Sequence, residues 1–408
     1  MTKTPARIIF LALFPFACGY FMSYLLRAVN AVVAPDLVAE FGVGPAELGF
    51  LTSAYLLGFS LFQLPLGVLL DRYGARRVQT GLLLVAALGC VVFSVADGFL
   101  ALVASRAVIG LGFSAGLMAS YKSSSVWVPI ERRSLTNATI MAMGALGLVF
   151  ATEPTAMLVQ AIGWRNVFVF LAFCVAVSAA FIFFAVPETP GGKEPEPLRA
   201  QVQELVAIFK LPLFWRIAPL LGLTAGIPIA YQTLWAGPWF RDVMGLGRLD
   251  AARNLFWMAV AFMLGILTIG IIADRMQRRG IGPMTSMLGF LVLHLLAQAI
   301  LLFGNTAFAL PAWLLLAAVG QVAILAFPWF AAQVGEHLSG RANATINFAM
   351  FIVAFLAQYL VGLVIGFFPA TATGYAPAGY SWAIALFLLL QLAALIWYMS
   401  GRRTTVTT

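Results

Sequence analysis

Long apolar runs, one after another along 408 residues, leave this chain few folds to choose from. A helix that crosses a bilayer needs about 20 predominantly apolar residues. Twelve such runs can be laid end to end, at roughly 8–33, 46–70, 78–97, 99–127, 135–160, 165–187, 213–239, 252–273, 282–303, 308–333, 343–368 and 379–399. With 62% of its residues hydrophobic and 10% charged, the chain carries more apolar surface than a water-soluble domain needs. The runs are continuous, without period-two alternation, which disfavours a β-barrel. The expectation is an all-α integral membrane protein with twelve transmembrane helices. The first run is too long for a secretory signal and shows no evident cleavage site, so it is kept as helix one.

The net charge of +9 is spread unevenly. With the N-terminus inside, the inner loops hold Arg72, Arg76, Arg77, Arg132, Arg133, Arg275, Arg278 and Arg279 among others, and the outer loops only Arg165, Arg241, Arg248 and Arg253. That is the positive-inside pattern, which places both termini in the cytoplasm and makes the chain a multi-pass protein of the cell inner membrane. The basic balance therefore sets topology and implies no nucleic acid. Cys18, Cys90 and Cys174 each lie within an apolar run, so no disulfide framework is expected.

Two copies of one charged signature sit half a chain apart. The first reads Gly67-Val68-Leu69-Leu70-Asp71-Arg72-Tyr73-Gly74-Ala75-Arg76-Arg77, the second Gly270-Ile271-Ile272-Ala273-Asp274-Arg275-Met276-Gln277-Arg278-Arg279-Gly280. The first glycine of each is expected to let two helices approach closely. A second pair, Leu135-Thr136-Asn137-Ala138-Thr139-Ile140 and Arg341-Ala342-Asn343-Ala344-Thr345-Ile346, opens the fifth and eleventh runs. Repeats of six helices fit two bundles related by an axis along the membrane normal. The boundaries read as an N-terminal bundle over 1–187, a linker over 188–212, a C-terminal bundle over 213–400 and a tail over 401–408.

These signatures resemble the loop between the second and third helices of each half in the major facilitator superfamily of transporters. Arg106-Ala107-Val108-Ile109-Gly110-Leu111-Gly112-Phe113-Ser114-Ala115-Gly116 resembles that family's fourth-helix element. The resemblance implies two pseudo-symmetric six-helix bundles, alternating access, a monomer, and Asp71, Arg72, Arg76, Asp274 and Arg275 as breakable conformational latches. It also implies no enzyme activity. The linker and tail are too short for a signalling domain, which sets aside a non-transporting sensor.

A charge at membrane depth costs at least a few kcal/mol, so it marks a cavity or a partner. Tyr24-Leu25-Leu26-Arg27-Ala28-Val29-Asn30 resembles the first helix of organophosphate:phosphate antiporters and related anion carriers. There a first-helix arginine grips the substrate's anionic group, and a guanidinium fork suits a planar anion. The antiporters' second arginine, in helix seven, is absent from Tyr231-Gln232-Thr233-Leu234-Trp235. That favours a singly charged or larger organic anion, such as a carboxylate. The alternative for Arg27 is a static ion pair with Glu153.

Glu153, before Pro154, is the candidate proton carrier of a symporter. Arg106 is linked by the resemblance to proton coupling or to positioning helix one. Lys122 reads either as a second anion contact or as a lysine snorkelling to the headgroups. Tyr24 and Asn30 join Arg27 as candidate substrate contacts. Tyr231, Gln232, Trp235, Trp329, Asn347 and Gln358 do so from helices seven, ten and eleven, since aromatics with amides suit an organic substrate; an interfacial or core role is equally open to each. Trp239 is expected at the outer interface and His294 as a satisfied interhelical histidine. No metal or cofactor constellation is present. The rival readings are a drug/proton exporter, which would want an acidic or purely aromatic cavity, and a peptide or amino-acid carrier using Arg27 and Glu153 for the two ends of a zwitterion.

Overall fold

The computed structural model describes residues 6–187, 198–303, 306–335, 338–371 and 374–401. The linker stretch 188–197 and the tail 402–408 lie outside the described residues. The secondary structure of the described residues is helical throughout. Ten helices are long and apolar enough to cross a membrane, eleven when the bent pair Leu135–Phe150 and Glu153–Ile162 counts as one span. One of them, α3 (Pro45–Ser94), changes course at Gly74, whose φ of 77° and ψ of 159° are open to glycine and strained for other residues. It therefore holds both the second and the third apolar run, and a count of twelve spans is consistent with the whole. Gly280, at φ 81°, ends the second signature in the same way.

The chain divides into two compact units, Met1–Val43 with Ala54–Leu198, and Gly44–Ser53 with Arg199–Thr408. The first unit is built from α1 (Ala6–Ala28), α2 (Asn30–Phe41), most of α3, α4 (Phe99–Phe113), α5 (Gly116–Trp127), α6 (Ile130–Phe150), α7 (Glu153–Ile162) and α8 (Trp164–Ala185). Its outward apolar stripes, such as Leu84, Leu88 and Val91 on α3 or Val169, Phe173 and Val177 on α8, recur at one-turn spacing and are exposed. In water they would be a liability; against lipid tails they are solvent-facing groups of the right kind.

Helices in this unit meet through small residues. A Cβ on Gly110 would overlap the carbonyl oxygen of Tyr55, so α4 lies backbone to backbone on α3. The signature glycines do not act this way: a Cβ on Gly67 or on Gly270 would meet nothing within 4 Å. The expected close approach is found at Gly110 instead.

Several expected helices are broken. The fifth run, read as 135–160, bends by 45° between α6 and α7. Proline at 154 cannot donate to the carbonyl four residues back, and its ring crowds that carbonyl. The hydroxyl of Thr155 donates to Phe150 O at 2.6 Å and that of Thr152 to Val149 O at 2.5 Å, so carbonyls at the break are not stranded in an apolar setting.

The second unit contains α9 (Leu198–Lys210), α10 (Pro212–Ala230), α11 (Ala236–Asp242), α12 (Arg248–Arg278), α13 (Pro283–Phe303), α14 (Ala309–Ala318), α15 (Phe327–Val334), α16 (Ser339–Gly366) and α17 (Pro377–Ser400). The seventh run is interrupted by a π turn, Tyr231–Trp235, between α10 and α11. The tenth is interrupted by a 3-10 turn, Val322–Ala326, between α14 and α15. Residues 44–53 belong to this unit. A Cβ on Gly49 would lie 2.8 Å from Gln358 O, and Phe50 packs edge-on against Tyr359 at 5.6 Å between ring centroids.

Candidate functional site

Arg27 occupies the last turn of α1, where unpaired carbonyls favour a cation. It is 7% exposed, and aromatic rings surround its guanidinium. The guanidinium carbon lies 4.6 Å from the Tyr24 ring centroid, 5.1 Å from that of Phe59 and 6.0 Å from that of Tyr55. Ring faces stabilise the cation without neutralising it, and a guanidinium is a planar fork of donors suited to a planar anion. Asn30, one turn on and fully buried, opens α2.

Arg106 lies behind this group and is fully buried. Its Nη1 donates to Leu26 O at 2.9 Å, and its guanidinium stands 5.2 Å from the Tyr55 ring centroid. Tyr55 in turn donates its hydroxyl to Ser23 O at 3.1 Å. Both contacts fall on the α1 turn that carries Arg27, so the geometry is that of a positioning residue. Nε and Nη2 of Arg106 are buried without a hydrogen-bond partner. Glu153 is half-buried and heads α7, which packs on α2 and α8.

Lys122 is engaged elsewhere. Its Nζ donates to Asp71 Oδ1 at 2.5 Å and to Leu70 O at 2.8 Å, tying α5 to the first signature. Arg76 Nη1 donates to Val186 O at 3.1 Å, at the end of α8, and Arg72 lies 5.3 Å from the Tyr73 ring centroid. In the second signature Asp274 pairs within its own helix, with Arg278 at 2.8 Å, and Arg275 is exposed. The two copies thus share a sequence and differ in their partners. At the other end of the first unit, Arg165 donates to Glu40 Oε1 at 2.5 Å and Trp164 Nε1 to Glu40 Oε2 at 2.9 Å. The hydrogen bond from Arg165 holds the Glu40 carboxyl below the usual carboxylate range.

The second unit has a polar cluster of its own around the π turn. Trp235 is fully buried and donates Nε1 to Gln358 O at 2.8 Å. Both side-chain polar atoms of the fully buried Gln358 have no hydrogen-bond partner, and neither do Tyr231 Oη, Gln232 Nε2 and Trp313 Nε1. Buried polar atoms in native proteins are nearly always partnered, so a cluster of orphans marks a place where water or a ligand supplies the missing bonds. A π turn in a helix often accompanies such a place.

Trp313 stands 5.2 Å from Tyr231 and 5.4 Å from Trp239 between ring centroids. Trp239 is 4% exposed and so belongs to this buried aromatic group; an indole packed on Trp313 and Phe240 has no surface left for the interface expected of it. Trp329 is half-buried against the apolar core of the unit, and Asn347 is half-buried on α16. His294 meets the amide of Gln391 at 3.1 Å through Nε2 and leaves Nδ1 without a partner. Trp313, Tyr55 and Phe59 were not singled out by the sequence, where an aromatic within an apolar run has no contrast to mark it.

Comparison with known proteins gives the same architecture. The "Probable sulfoacetate transporter SauU" of Cupriavidus necator is 23% identical over 64% of this chain. The matched stretch also spans 64% of that protein, a little under two thirds of its length. The D-galactonate transporter of Escherichia coli O6:H1 is 24% identical over 96% of each chain. Among solved structures, a bacterial homologue of the human lysosomal transporter Spinster, inward-facing and unoccupied, superposes with a TM-score of 0.76 over 98% of each chain at 16% identity, a likeness of fold alone. The family profile matches residues 16–358, and with it the chain belongs to the Major Facilitator Superfamily, as a multi-pass membrane protein.

Proposed function

We propose that the protein is a secondary active transporter of a small organic anion, a carboxylate or sulfonate, and that Arg27 holds the anionic group. The observation that carries this reading is a buried guanidinium on the first helix, stacked by Tyr24, Tyr55 and Phe59 and fixed in place through Arg106. Two relatives bear the names of transporters of sulfoacetate and D-galactonate, both organic anions, which supports the same class. Within the second unit, Tyr231, Gln232, Gln358 and Trp313 are assigned as polar contacts for a small molecule through their buried unpartnered atoms, and Trp235 through its ring. Trp329 and Asn347 are assigned more peripheral contacts.

Glu153 is assigned the coupling proton and Arg106 the alignment of Arg27. Asp71, Arg72, Arg76, Asp274 and Arg275 are the proposed latches, and the contact of Lys122 with Asp71 supports grouping Lys122 with them. The charge asymmetry of the loops supports cytoplasmic termini, and residence in the cell inner membrane as a monomer belongs to the same proposal.

Thermal stabilisation of the purified protein by sugar acids, sulfoacetate, aromatic carboxylates, dipeptides and lipophilic cations tests the reading. Carboxylates or sulfonates should raise Tm, and Arg27→Ala should abolish the response. Stabilisation by cations, or an anion response untouched in Arg27→Ala, would overturn it.

A further inference from the structure

The second unit carries an apolar groove that transport of a polar anion does not use. Its volume is about 440 Å³, within the range of small-ligand sites. Phe214, Ala218 and Leu223 of α10, Ala349 and Leu356 of α16 and Leu390 of α17 form its walls, and the lining is almost wholly apolar. An aqueous path for a charged substrate would not be built this way, because nothing in it replaces water around an ion.

One end of the groove has a different character. Phe209, the penultimate residue of α9, packs edge-on against Phe348 at 6.0 Å between ring centroids, which sets the rim at that level of α16. Trp215 is 59% exposed and donates Nε1 to Phe209 O at 2.8 Å. Trp397 is 53% exposed and donates Nε1 to Trp215 O at 3.2 Å. Exposed indoles held at a helix end belong at the headgroup level of a bilayer. Lys210, exposed, and Arg216, 5.4 Å from the Trp397 ring centroid, follow Phe209 and Trp215 directly in the chain. The neighbouring carboxylate, Glu204, is paired with Arg341, so the rim is basic.

From Phe348 to Leu360 the groove follows α16 for about 18 Å at 1.5 Å per residue. Half of a hydrocarbon core about 30 Å thick is of similar length. We propose that the groove seats one acyl chain of an anionic phospholipid from the adjoining leaflet, with the lipid phosphate against Lys210 and Arg216. A concave, apolar, leaflet-deep channel fits a chain, and two cations at its mouth select an anionic headgroup.

The test uses the full chain in nanodiscs containing a trace of lipid with a diazirine on its acyl tail, as phosphatidylglycerol or as phosphatidylcholine. Crosslinked peptides are mapped by mass spectrometry. The phosphatidylglycerol probe should label residues 348–360 several-fold more than the lipid-facing helix Trp164–Ala185, and more than the phosphatidylcholine probe does. Ala349→Trp, which fills the groove, should bring labelling down to that of Trp164–Ala185. The double variant Lys210→Gln/Arg216→Gln, which leaves the apolar walls intact, should equalise the two probes. Labelling no higher than on Trp164–Ala185, or a headgroup preference that survives removal of both cations, would overturn the proposal. So would protection of the groove from both probes in a protein that runs as a dimer, since a second copy would then cover it.

Discussion

At the scale of single residues, buried arginines are where this chain spends stability on purpose. Burying a guanidinium costs several kcal/mol unless partners repay it, and Arg106 repays with one backbone hydrogen bond and one ring face. Replacing such a group by an apolar side chain of similar volume is often neutral or stabilising. Arg106→Met is therefore expected to keep Tm within a few degrees of wild type, while substrate affinity falls as the α1 turn carrying Arg27 loses its anchor. Calorimetry and binding measured on the same preparation check this; a large loss of Tm with unchanged affinity would make Arg106 a purely structural residue.

Glu40 offers a test in pH. Its folded-state carboxyl titrates below the usual value because Arg165 and Trp164 donate to it. The stability it contributes is therefore present above the unfolded value of about 4.3 and is lost as pH falls through the lowered folded one. Thermal scans from pH 6 to pH 3 should show a steeper acid loss in wild type than in Glu40→Gln. None of these partners could be named from the sequence. Glu40 and Arg165 stand 125 positions apart, and Lys122 and Asp71 stand 51 apart, so only the fold brings each pair together.

At the scale of helices, the apolar runs announced where spans lie but not where they break. The bend before α7 was legible in principle, because Pro154 sits inside the fifth run. The π turn at Tyr231–Trp235 was not, since one extra residue per turn leaves no mark on an apolar pattern. That turn nevertheless falls on the stretch already chosen for its tyrosine, amide and tryptophan. The packing glycines behaved similarly: those of the fourth helix are contact points, whereas the signature glycines face open space. Gly110→Leu should accordingly fail to yield a stable protein, because Tyr55's backbone has no room to withdraw, a defect read as loss of the monodisperse peak in size-exclusion chromatography. Gly67→Leu should leave that peak in place.

At the scale of the whole molecule, the internal repeat is legible in the sequence, yet the two copies have diverged in their partners. Asp71 bonds across helices to Lys122, while Asp274 bonds four residues along its own helix to Arg278. Both pairs are partly exposed, so each is worth about 0–1 kcal/mol to stability and neither decides the fold. Their consequence should appear in function. Asp71→Asn is expected to slow transport more than Asp274→Asn at equal Tm, and Asp71→Lys with Lys122→Asp should recover part of the loss. Equal effects of the two asparagine variants would mean that the repeats still work alike.

The account rests on Arg27 gripping an organic anion, and counterflow in proteoliposomes tests that most directly. Vesicles loaded with unlabelled sulfoacetate or D-galactonate take up the labelled form without any gradient to drive it, so binding and translocation are read apart from coupling. Wild type and Glu153→Gln should both show counterflow, and Arg27→Ala should show none even though it is folded. Full counterflow in Arg27→Ala would contradict the account and leave that guanidinium as a structural tie of the first helix.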